Sequence, residues 1–92
     1  MDELLLSKVR LAVIAQLVTA EWVTFAELQK SIDVTDGNLA SHLRVLEEHR
    51  YVRVKKEFVG RKPQTSYLVT EAGRRAFRDH LEGLERVIRS AH

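Results

Sequence analysis

The apolar residues of this chain change their spacing twice. Up to about residue 50 they recur at intervals of three and four, the period of a helix. From Tyr51 to Val69 they alternate in twos around a Gly-Arg-Lys-Pro turn, and from Glu71 the helical period returns and runs to about Ser90. This pattern predicts a mainly α chain with one small β-hairpin, in the order α-α-α-β-β-α. With 92 residues, 45% of them apolar, there is material for one small core and one domain, residues 1–92, with no linker, repeat or low-complexity stretch.

Local signals place the elements. Residues 3–19 contain neither Gly nor Pro and read as one helix. Leu4-Leu5-Leu6, Val9, Leu11 to Ala15, Leu17 and Val18 wrap well past the roughly 100° band that a surface helix buries. One face is expected to pack on its own domain and another to need a second cover, for which a partner subunit is the candidate. Glu21-Trp22-Val23 reads as a break or brief strand. Thr24 with Glu27 three residues on forms a capping box for a short helix to about Ser31, with Phe25, Leu28 and Ile32 inward. Asp33-Val34-Thr35 is a turn, and Thr35 caps a third helix running to about His49 or Arg50. Leu39, Leu43 and Leu46 form its buried stripe. Gly37 in its first turn costs up to about 1 kcal/mol relative to Ala and leaves room for another backbone to approach.

The hairpin is read as strands at 51–59 and 65–69 joined by the turn 60–63. Thr70 then caps a last helix over 71–90, in which Phe77, Leu81, Leu84, Ile88 and Ala91 recur at near-heptad spacing and read chiefly as core. A helix of that length spans roughly 30 Å. That exceeds what so small a domain can cover, so part of it is expected to pack against another chain, with the first helix as the natural partner. Trp22, Phe25 and Phe77 are expected in the core.

Composition narrows the function classes. No apolar run approaches the roughly 20 residues of a membrane helix, and no basic-then-apolar leader is visible. Cysteine is absent, which removes disulfides, thiolate metal sites and thiol chemistry. A cytoplasmic location fits. The net charge of +2 hides a gradient: −2 over residues 1–34, +3 over 35–70 and +1 over 71–92. A basic middle suits one anion-facing surface.

Two short helices joined by a tight turn and followed by a strand–loop–strand make a winged helix-turn-helix. The helix-turn-helix would lie at about 24–50, the wing at about 51–69, and the terminal helices, 3–19 and 71–90, would serve dimerisation. Specific runs sharpen the match: Val9-Arg10-Leu11, Phe25-Ala26-Glu27-Leu28, Thr35-Asp36-Gly37-Asn38-Leu39-Ala40-Ser41-His42-Leu43, Leu46-Glu47-Glu48, Tyr51-Val52, Gly60-Arg61-Lys62-Pro63-Gln64-Thr65, and Leu68-Val69-Thr70-Glu71-Ala72-Gly73-Arg74. On these the chain resembles the short winged-helix transcriptional regulators related to the MarR and ArsR families, over about residues 4–85. The resemblance implies that the third helix reads DNA, that the wing touches the backbone or minor groove, and that terminal helices make a homodimer. Arg50 departs from the pattern, standing where the family usually ends the recognition helix with Gly, and a shifted helix end is expected there.

The candidate DNA-binding residues follow. Asn38, Ser41, His42 and Arg44 lie off the leucine stripe and offer donors and acceptors to base edges. Thr35 and Gly37 could bring backbone N–H groups to a phosphate at the helix N-terminus. Asp36 opposes that electrostatically, and caps the helix or accepts from a cytosine amine. Arg61 and Lys62 at the wing tip face phosphates or a narrow minor groove, with Lys55, Lys56 and Arg53 as further phosphate contacts.

The histidines at 42, 49, 80 and 92 make no i, i+4 pair, so no metal or other cofactor is expected. A small-molecule effector pocket at the dimer interface is left open, though nothing in the sequence marks one. No catalytic triad, paired-carboxylate motif or phosphate loop is present, so no enzyme is expected. The leading reading is a homodimeric, sequence-specific transcriptional regulator, a repressor, on a pseudo-palindromic operator in double-stranded DNA. The alternative is a winged-helix protein–protein interaction module.

Overall fold

The computed structural model describes residues 2–91; the candidate histidine at 92 lies outside them. A short 3-10 turn, Glu3–Leu6, leads into α1 (Lys8–Leu17), β1 (Val23–Thr24), α2 (Phe25–Ser31), α3 (Asp36–Glu48), β2 (Val52–Val59), β3 (Lys62–Val69) and α4 (Glu71–Ser90). The order is the one the spacing predicts, with one strand added. β1 pairs antiparallel with β3 through Val23↔Tyr67 and Thr24↔Ser66, so the hairpin becomes a three-stranded sheet of order β1-β3-β2.

The first helix is not continuous over 3–19. Ser7 takes extended backbone, and its hydroxyl accepts from the Arg10 N–H at 3.2 Å; Asp2 caps the preceding turn by accepting from the Leu4 N–H. Short polar side chains that bond nearby N–H groups compete with the helical ladder, and here they divide it. The division rotates Leu5 into the core, where it is fully buried.

That core joins Leu5, Val13, Ile14 and Leu17 to Leu28, Ile32, Leu39, Leu43, Leu46, Val23, Val52, Tyr67 and Val69. The capping box at Thr24 and Glu27 forms as read, and so does the Thr35 cap of α3. The wide apolar face of α1 finds its second cover within the chain. It packs against the 3-10 turn, α3, α4 and β3, with Val9, Leu11, Ala12 and Val18 partly buried on the core. Trp22 is only half-buried and serves as a platform for Lys55, whose Nζ lies 4.4 Å from the ring centroid.

The hairpin turn is tighter than the four residues read from sequence. Val59 pairs with Lys62, so Gly60 and Arg61 alone make the loop, and Gly60 takes φ +66°. Pro63 thereby enters β3 opposite Phe58. The pair next to a two-residue loop exchanges both hydrogen bonds, so the Phe58–Pro63 pair is a non-bonded one and needs no N–H from Pro63.

At the end of α3, Arg50 takes the left-handed conformation, φ +60°. Its N–H donates to the Glu47 carbonyl and the Tyr51 N–H to the Leu46 carbonyl, both at 2.9 Å, which is the Schellman arrangement. The helix therefore ends where a Gly would end it, despite the Arg. The Thr70 hydroxyl, donating to the Arg50 carbonyl at 2.7 Å, helps to hold it there. Arg50→Gly is expected to stabilise the protein by up to about 1 kcal/mol, read as a higher urea midpoint at unchanged slope.

The end of α3 is also tied to the N-terminal turn and to α4. The Tyr51 phenol donates to the Asp2 carboxylate at 2.5 Å, and the Asp2 N–H donates to Nδ1 of the fully buried His80 on α4 at 3.1 Å. Burial pushes the Tyr51 phenol up to about 12, reinforced by the hydrogen bond to Asp2 and by its charge.

The stripe on α4 does not behave as core along its length. Only Gly73 and His80 are buried, and Ala76 and Phe77 pack on the core's edge. Beyond them Leu81, Val87 and Ile88 stand 45%, 51% and 60% exposed. The helix outruns the domain, giving a long dimension of 55 Å against 26 and 21 Å.

Candidate nucleic-acid interface

α3 divides into two faces. Leu39, Leu43 and Leu46 are buried, and at 100° per residue Gly37, Asn38, Ser41 and Arg44 fall on the other side, all exposed. The helix begins at Thr35, whose hydroxyl accepts from the Asn38 N–H at 3.2 Å. Thr35 and Asp36 are exposed beside it, with Asp36 in the first turn where a carboxylate suits the helix dipole. Gly37 faces open space: among the described residues outside its own helical turn, a Cβ there would meet nothing within 4 Å. The room expected for another backbone is open space at the outer surface.

His42 differs from its companions. It is half-buried, on the flank of α3 that meets α1, with Nδ1 3.3 Å from Nη1 of Arg10. Burial, and then the Arg10 charge, hold its imidazole below the ordinary value. Arg10 itself is anchored, Nε donating to the Leu4 carbonyl at 2.7 Å. Sequence reasoning used Arg10 only as part of a matching run. The signal for its role was a cation set between Val9 and Leu11, inside the apolar stretch of the helix.

The wing is cationic: Arg53, Lys55, Lys56, Arg61 and Lys62 stand against the single carboxylate Glu57 between Val52 and Pro63. Arg61 is in the two-residue loop and Lys62 opens β3, both exposed. Alternation splits the remainder. Lys56 shares a strand face with the core residues Val52 and Val54, whereas Lys55 lies on the opposite face, over Trp22. The wing also carries two apolar side chains that sequence reasoning passed over, Phe58 at 75% and Val59 at 54% exposure. Adjacent in β2, they point to opposite faces of the wing near its tip.

Among the described residues there is no group of three His, Cys, Asp or Glu side chains placed to hold a metal ion, and no helix long and apolar enough to cross a membrane. An open hollow between β3, the wing and the start of α2, about 450 Å³, is bordered by Thr24, Phe25, Val59, Lys62 and Gln64.

This arrangement has close counterparts. An uncharacterized protein of Methanocaldococcus jannaschii is 36% identical over 75 residues, 82% of each chain. The structure of a transcriptional regulator homologue from Pyrococcus horikoshii superposes with a TM-score of 0.88 at 32% identity, over 98% of this chain and 89% of that one. A MarR-family regulator from Enterococcus faecalis shares the fold at 24% identity and a TM-score of 0.74, over 95% of this chain and 77% of that one. Bacillus subtilis PadR, solved in complex with operator DNA, shares it at 13% identity and 0.73, over 82% of this chain and 47% of that one. The model of the winged helix DNA-binding domain matches residues 9–88, from the α1 run that contains Arg10, through the exposed face of α3 and the cationic wing, to the projecting end of α4; the chain belongs to that family and is homologous to transcriptional regulators.

Proposed function

We propose that the protein is a sequence-specific transcriptional regulator, a repressor, that binds a pseudo-palindromic operator as a homodimer. The observation that carries this reading is the outward face of α3: Asn38, Ser41 and Arg44 stand exposed opposite a buried leucine stripe, with nothing among the described residues covering Gly37. Asn38 pairs with adenine and Arg44 with guanine in the major groove, Ser41 and His42 adding hydrogen bonds to neighbouring base edges. Thr35 and Gly37 present backbone N–H groups to a phosphate, and Asp36 keeps the cap or accepts from a cytosine amine. Arg61 and Lys62 reach the flanking backbone or minor groove, and Lys55 adds positive potential from the other face of the wing.

Two copies related by a two-fold axis would place their α3 helices on half-sites about 10 bp apart, or a multiple of that. The exposed Leu81, Val87 and Ile88 supply an apolar surface for that contact. Occupancy of a promoter by such a dimer blocks polymerase sterically.

The test is fluorescence anisotropy over a salt series, with the duplex upstream of the protein's own coding region against a scrambled duplex. The expected result is binding to the first alone, with a log–log salt slope of several units. Arg61→Ala is expected to weaken binding to all sequences and to flatten that slope by about one unit. Asn38→Ala should instead relax base preference at one position of each half-site. Uniform weakening by both variants would refute the division of labour between helix and wing. The alternative, a protein-interaction module, draws on exposed Phe58 and Val59; absence of DNA binding even at low salt would favour it.

A further inference from the structure

The Arg10–His42 contact has a chemical consequence that follows from the donor inventory alone. A guanidinium donates and never accepts. With Arg10 Nη1 at 3.3 Å, His42 Nδ1 must therefore be the acceptor, and the ring proton must sit on Nε2. The guanidinium is fixed on its other side by the Leu4 carbonyl, so it cannot swing away without losing a 2.7 Å bond. Among the described residues Nε2 has no protein partner, and no polar side-chain atom is buried without one. The Nε2–H therefore opens to the surface, beside Ser41 and one turn on from Asn38.

We propose that Arg10 is a positioning residue for base recognition: it holds His42 in the Nε2–H tautomer, so that α3 presents a donor there and selects a base edge that accepts. This rests on the reading of α3 as the helix that enters the major groove. Guanine N7 and O6, adenine N7 and thymine O4 accept a hydrogen bond in that groove, whereas cytosine offers only its amino donor. An unconstrained imidazole changes tautomer and protonates near neutral pH, so it could accept from cytosine as readily as donate to guanine. Arg10 removes the choice, since a ring facing its guanidinium can neither carry a proton on Nδ1 nor gain a second one without losing the contact. Burial and the Arg10 charge, which lower the imidazole below its ordinary value, act in the same direction.

Two measurements test this, one of which needs no DNA. The first is a long-range proton–nitrogen correlation spectrum of the histidine rings in the free protein at pH 7.5. The wild type is expected to show His42 as a pure Nε2–H tautomer, and Arg10→Met a mixture of the two. A wild-type ring protonated on Nδ1, or already mixed, overturns the proposal outright. The second is selection from a pool of duplexes with a randomised 20-bp centre. Arg10→Met and His42→Gln are each expected to admit cytosine at the same single position of each half-site, at least five-fold more often than wild type, with other positions unchanged. The double variant should go no further than either one. Circular dichroism verifies folding, and if Arg10→Met does not fold, the wild-type tautomer spectrum tests the Arg10 contact while His42→Gln tests base reading. A base profile unchanged in the folded variants overturns base selection through Arg10 and His42 and leaves the reading of α3 as the DNA-binding helix standing. A pool left unenriched by wild type and variants alike overturns the DNA reading, and the base-reading role with it, even if the tautomer is as expected.

Discussion

Gly73→Ala is expected to lower stability by about 3 kcal/mol, a drop in Tm of about 12–24 °C for a domain of this size. A Cβ at this position would lie 2.3 Å from the Tyr51 carbonyl oxygen and 2.8 Å from Val69 Cγ2. The first neighbour is backbone and cannot rotate aside. The same carbonyl accepts the Thr70 N–H at 3.0 Å, so any shift that admits the methyl also weakens the junction between β3 and α4. The strain would reach α3, because Tyr51 directly follows its Schellman end. Thermal unfolding by circular dichroism decides the matter. A loss below about 1 kcal/mol would mean that α4 can lift from the Tyr51 carbonyl and the end of β3 without cost, contrary to their close approach.

The second large effect concerns the projecting end of α4. On the proposed homodimer, Val87→Glu combined with Ile88→Glu is expected to convert a dimer into a monomer and to weaken binding to the proposed operator by about 100-fold or more. Both side chains are more than half exposed, so charges there leave the monomer fold intact, and Tm measured at low protein concentration should hardly move. The loss comes from geometry rather than from any contact with DNA. Two linked half-site readers act at a high effective concentration, and separating them forfeits that gain. Sedimentation at micromolar concentration, run beside the anisotropy titration, separates the cases. If the doubly substituted protein remains a dimer, the two-fold contact lies elsewhere; if the wild type is already a monomer of 10.6 kDa, the half-site geometry fails.

Much of the fold was legible because it rests on local signals. The Thr24–Glu27 box, the Thr35 and Thr70 caps and the leucine stripe of α3 all depend on residues within one or two turns of each other, and each formed as read. The candidate interface was partly legible for the same reason: Asn38, Ser41 and Arg44 are exposed because Leu39, Leu43 and Leu46 are not. The misreadings share a different cause. Trp22 looked like core because large aromatic rings usually are; whether it is covered depends on β1 and β2 meeting β3, and the sheet leaves it half open beneath Lys55. The apolar stripe on α4 follows helical period to its end, but period cannot reveal where the rest of the domain stops.

The break at Ser7 shows the boundary between the two kinds of information. Ser, Asp and a run of leucines are compatible with a continuous helix, and nothing nearby in sequence forbids one. The chain divides there because doing so buries Leu5 and frees the Leu4 carbonyl for Arg10, gains that exist only once α1 lies against α3. By itself, then, the sequence determined the periods, caps and turns, and with them the order of elements and the outward face of α3, since these depend on neighbours a few residues apart. Only the tertiary structure decided the third strand, the left-handed Arg50, the clash-free niche of Gly73 and the withdrawal of His42 toward Arg10. Each of these joins residues distant in the chain or tied through such contacts, and their energies depend on a proximity that no local pattern encodes.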